Sequence, residues 1–67
     1  MRYMIWTDSE SAIDIKLEKH YYINVDEAYN VLCDFVHKYD GESFRVIGHI
    51  EDLRTEETIE TLENIIA

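Results

Sequence analysis

Cys33 and His37 are the residues whose types and spacing come nearest to chemistry. Four positions apart on a helix, they would share one side and could reach one metal ion. Zinc would need two further ligands, and His20 and His49 are the remaining histidines. No CxxC or HxxxH spacing accompanies them, so the sequence assigns no metal. The same pair could act as a thiol nucleophile and its base. That chemistry requires a depressed thiol pKa, an oxyanion hole and a substrate cleft. The chain has no glycine-rich loop to supply backbone donors, and no GxxxxGK or GxGxxG motif to cradle phosphate. The acidic run around Asp8 and Glu10 lacks the ligand spacing, central glycine and terminal glutamate of a calcium loop. Cys33 and His37 are therefore read as flank residues of a core-building helix. No catalytic residue and no cofactor is assigned.

The carboxylates say more. Fifteen Asp and Glu face six Lys and Arg, for a formal charge of −9. A nucleic-acid backbone would be repelled by such a chain, so direct binding to it is not expected. A basic surface of another protein would be attracted. Read as a helix, residues 55–67 place Glu56, Glu60 and Glu63 at i, i+4 and i+7 in one acidic stripe, with Glu51 and Asp52 just before it. Steps of roughly 5–6 Å between such side chains are comparable to the phosphate interval of a nucleic-acid strand. The stripe thus suggests an inhibitor or modulator that occupies a basic groove as a nucleic-acid mimic would. Trp6 and Tyr22 are the aromatic anchors proposed for the same contact, since Tyr and Trp are enriched at interface hot spots. General acid–base work would instead need one carboxyl buried to raise its pKa, and these look uniformly solvated.

The elements that must position these residues follow from pattern. Residues 2–7 read as a strand, and residues 12–18 alternate Ile13, Ile15 and Leu17 with Asp14, Lys16 and Glu18. The second strand is extended to about Tyr22, with Tyr21 and Ile23 on its core side. Asn24 is a helix N-cap with Glu27 three positions on, and Asp26 and Glu27 suit the positive end of the helix dipole. Val25, Ala28, Tyr29, Leu32, Phe35, Val36 and Tyr39 recur at steps of three and four, and Gly41 supplies a stop. Residues 43–51 alternate as a third strand, with Gly48 at a bulge or close packing contact. Residues 55–67 read as a second helix capped by Thr55, burying Ile59, Leu62, Ile65 and Ile66.

The fold expected is α+β: one β-β-α-β-α domain over residues 1–67, with a three-stranded sheet of order 2-1-3 and two helices on one face. The other face would carry Ile47 and His49 with either Tyr3 and Ile5 or Met4 and Trp6. Such a face suits a partner, including a second copy of the chain, so a self-associating homodimer is the alternative. A single cysteine excludes an internal disulfide and fits a reducing compartment. No run of apolar residues reaches membrane-spanning length and no signal peptide is apparent, so the expected location is cytoplasmic.

Overall fold

Asn24 starts the helix as expected. Its side-chain Oδ1 accepts from the Asp26 and Glu27 N–H groups at 2.8 and 3.4 Å, satisfying two donors that the first turn would otherwise leave open. The helix, α1, runs Val25–His37 and buries Ala28, Leu32 and Val36. Gly41 lies in the left-handed region at φ 89°, in the turns that follow. The computed structural model describes residues 1–9, 17 and 20–67. Apart from Leu17, the alternating stretch read as the body of the second strand lies outside them.

The strands are β1 (Tyr3–Ser9), β2 (His20–Tyr22), β3 (Val46–Asp52) and β4 (Glu57–Glu63). They form one sheet of order β2-β1-β3-β4 with every neighbouring pair antiparallel. The order 2-1-3 therefore holds for the first three. The fourth strand takes the place of the expected second helix, so among the described residues one helix rather than two covers the sheet. Residues 53–56 turn the chain back on itself: the Arg54 N–H donates to the Asp52 carboxylate at 3.0 Å, the Glu56 N–H donates to the Asp52 carbonyl at 2.8 Å, and Glu56 takes φ 60°. Thr58, Ile59 and Thr61 are β-branched and favour a pleated strand. The open edge of β3 gives them a partner, whereas an isolated helix of that length is marginal.

The core lies between α1 and the sheet. Ile5, Ala28, Leu32, Val36, Val46 and Ile50 are buried, with Tyr3, Leu17, Tyr22, Phe35, Tyr39, Phe44 and Leu62 packed around them. Gly48 lies directly beneath α1. A Cβ there would sit 2.6 Å from Leu32 Cδ1 and 2.9 Å from Val36 Cγ2. The bulge lies at Ile50/Glu51 instead. Expectations about the facing of five residues are corrected. Tyr21 pairs with Met4 on the uncovered face and Ile23 is exposed, while Tyr22 packs on the core. Of the four residues assigned to a buried helical stripe, only Leu62 packs on the core; Ile59, Ile65 and Ile66 are exposed. Asn64, read as helical, is the buried clamp at the end of β4.

That clamp closes the domain. Asn64 Nδ2 donates to the carbonyls of Tyr39 and Phe44 at 2.7 and 3.1 Å, and its Oδ1 accepts from the Val46 N–H at 2.7 Å. One side chain thus ties the segment after α1 and the start of β3 to the end of β4. Beyond it, the Ile65 N–H donates to the Asp40 carboxylate at 2.7 Å, and its carbonyl accepts from Gly41 at 2.8 Å.

Candidate functional site

The β3–β4 hairpin gathers most of the carboxylates singled out in the sequence, and register decides which of them share a face. Opposite residues on paired strands point the same way. Ile50 and Gly48 face the helix, so their partners Glu60 and Leu62 lie on the helix side. His49 and Ile47 face away, so Thr61 and Glu63 lie on the uncovered side. Glu60 and Glu63 therefore do not belong to one stripe. Along a strand, three residues span about 10 Å and change face. The helical row spaced like phosphates is not formed.

The seven proposed contact residues divide accordingly. Glu51, Glu63 and Trp6 lie on the uncovered face. Trp6 stacks on His49 with ring centroids 4.1 Å apart, and His49 Nδ1 lies 3.4 Å from the Thr61 hydroxyl. A continuous row, Trp6–His49–Thr61, thus crosses three strands on that face. Asp52, Glu60 and Tyr22 lie on the helix side, and Glu56 sits in the connecting turn. Tyr22 is half-buried against the core, which makes it a packing residue.

Asp52 is withdrawn from the candidate surface by its own contacts. It is 5 % exposed, and Arg2 grips it from the chain start, Nη2 to Oδ2 at 3.0 Å and Nε to Oδ1 at 3.3 Å. The Arg2 guanidinium, aided by the Arg54 N–H, holds this carboxyl below the usual range. Glu63 has Arg45 Nε at 3.6 Å, an open and loosely formed pair. Between these two ends, Glu56, Glu57 and Glu60 are exposed, and residues 55–67 contain no Lys, Arg or His. A helical reading puts Glu57 with Glu56 in the first turn, outside the stripe. On the strand it lies beside Asp52, on the same edge as Glu60 and Glu63.

Cys33 and His37 sit on α1 as a half-buried thiol and an exposed imidazole. His37 Nδ1 meets both Asp40 carboxylate oxygens at 3.1 Å. His49 points to the opposite side of the sheet, engaged with Trp6. Among the described residues no group of three or more His, Cys, Asp or Glu is placed to hold a metal ion. Asp40 is itself held below the usual carboxylate range, first by the Ile65 N–H and then by His37. Its position makes it a fastener of the last residues of the chain. Among the described residues, no helix is long and apolar enough to cross a membrane.

Compared with protein-family models, curated proteins and solved structures, the chain matches none.

Proposed function

We propose that this domain is a non-enzymatic binding module that docks on a basic surface of another protein and modulates or inhibits it. One observation carries the reading. The β3–β4 hairpin presents Glu56, Glu57, Glu60 and Glu63 in eight consecutive positions, with no basic residue from position 55 onward. Clustered charge of one sign speeds encounter with an oppositely charged surface and selects against the wrong one. Trp6, on the uncovered face with Glu51 and Glu63, is the anchor that would convert encounter into a lasting contact. The nucleic-acid mimic is the more specific form of this idea. It rested on a helical spacing of carboxylates that a strand does not provide, so the broader form is the one put forward.

The test uses immobilised full-length protein and lysate of the native host, eluted with rising salt. The retained partner is expected to be basic and to elute as screening lengths fall below those of physiological salt. Replacing three carboxylates together, Glu57→Gln, Glu60→Gln and Glu63→Gln, is expected to lower its retention about tenfold or more. Retention that ignores both salt and the triple substitution would refute the proposal.

A second reading is self-association through the face away from α1, where Trp6, Ile47 and His49 lie half-buried beside the buried Met4. Light scattering across micromolar concentrations decides it: a dimer supports this reading, and a monomer throughout removes it.

A further inference from the structure

The outer edge of β4 is already used once by the chain itself, and that use shows what the rest of the edge can accept. In an antiparallel pair, residues alternate between bonding inward to the neighbour and turning their N–H and C=O outward. The Asn64 N–H donates to the Val46 carbonyl at 3.3 Å, so Asn64 bonds inward. Ile65, next along, turns outward, and both of its groups are taken: its N–H by the Asp40 carboxylate and its carbonyl by the Gly41 N–H. Ala67 continues the pattern with a 3.0 Å bond to the Glu42 carbonyl. Counting back from Asn64, Leu62 and Glu60 bond inward, whereas Thr61 and Glu63 turn outward. Residues 40–42 thus cover the edge from Ile65 onward, and among the described residues β4 is the terminal strand of the sheet before that point.

Resting on the docking function proposed above, we infer that the β4 edge binds an extended basic segment of another protein as a fifth, added strand, continuing the line that residues 40–42 begin. Backbone groups of Thr61 and Glu63 would supply the ladder, and the side chains would supply the choice of partner. Glu57, Glu60 and Glu63 recur every third residue, with Thr58 and Thr61 between them. Cross-strand neighbours of opposite charge stabilise a pair, and like charges directly opposite destabilise it. Lysine or arginine at every third position of the incoming strand meets that pattern. A second copy does not. In the antiparallel register centred on β4, Glu60 opposes Glu60. The same glutamates that attract a basic strand therefore guard an edge that would otherwise invite self-pairing.

The probe is a blocked peptide, Lys-Val-Thr-Lys-Val-Thr-Lys, whose first two lysines oppose Glu63 and Glu60 in antiparallel register and whose last reaches the bulged end of β4 near Glu57. The control is Lys-Gly-Pro-Lys-Gly-Pro-Lys, equal in charge and spacing but unable to sustain a ladder because proline lacks the donor. Both are titrated into the isotope-labelled full chain at low salt, with amide exchange read residue by residue. The inference predicts about tenfold tighter binding of the first peptide and about tenfold slower exchange at Thr61 and Glu63. Thr61→Pro is expected to abolish that preference. It removes an outward N–H and the hydroxyl beside His49, at a position where edge strands accept proline. Equal binding of both peptides, with no new protection, would overturn strand addition and leave acidic docking standing. Binding of neither peptide at millimolar concentration would overturn both. Should Thr61→Pro fail to fold, the exchange measurement on the unaltered protein still decides.

Discussion

Gly48 shows how tightly one residue can control the spacing of helix and sheet. Its missing side chain is what lets Leu32 and Val36 rest on β3. Gly48→Ala would push a methyl group into Leu32, at a cost of about 1–3 kcal/mol for overpacking. Urea denaturation is expected to show that loss. Combined with Leu32→Ala, it should cost less than the sum of the two single changes, because the truncated leucine makes room. Simple additivity would mean that the two sites do not touch. Asn64 exerts control of another kind. Three of its polar capacities are used at 6 % exposure. Asn64→Ala would strand the Val46 N–H and the Phe44 carbonyl, while the Tyr39 carbonyl keeps the Glu42 N–H at 3.3 Å, with an expected loss of about 2–3 kcal/mol. Asn64→Asp keeps the acceptor and loses the donors, so it should be destabilised too. Stability unchanged in both variants would contradict the clamp.

Elements were legible in proportion to how many local signals agreed. For α1, cap, dipole charges and apolar period all pointed one way, and the structure follows them. The cap itself can be checked: Asn24→Ala should cost about 1 kcal/mol in a denaturation experiment, and no loss would mean that other groups serve the first turn. The first three strands and their order were also readable, from alternation and connection length. The final element was not. In residues 55–67, glutamates spaced for a helix and isoleucines at helical intervals outweighed Thr58, Ile59 and Thr61, whose branching favours a strand. The deciding contribution was non-local. β3 offered an open edge, and the Asp52 side chain, bonded to the Arg54 N–H, set the turn that delivers β4 to it. The phase of β2 was missed for a similar reason. Adjacent Tyr21 and Tyr22 are alike in character, and only pairing with Met4 and Tyr3 decides which faces in. The candidate site inherits this split: the residues were identifiable by charge, while their distribution over two faces depended on the element type.

At the scale of the whole molecule, a chain of net charge −9 holds its ends in place with two aspartates. Asp52 receives Arg2 from the chain start, and Asp40 receives the Ile65 N–H from the chain end. Both carboxyls are held below their ordinary value in the fold. The folded state therefore binds fewer protons at these sites than the unfolded chain does. Their stabilisation is complete above the ordinary carboxylate value, about 3.9, and is lost as pH falls through the depressed folded values. Protonation of the many other carboxylates relieves self-repulsion over the same range, so the informative quantity is a difference. Asp52→Asn and Asp40→Asn are each expected to lower stability at neutral pH and to converge on the unaltered protein as pH falls through the depressed folded values. Parallel curves at all pH values would show that these contacts do not depend on ionisation.

Amide exchange along residues 55–67 of the free protein is the most direct test that an acidic edge strand exists to be used. Glu60 and Leu62, bonded inward, should exchange slowly, while Thr61 and Glu63 between them exchange quickly. An unbroken run of slow amides from about residue 59 onward would instead be the signature of a helix. That result would contradict the strand, and with it the surface on which the docking function is built.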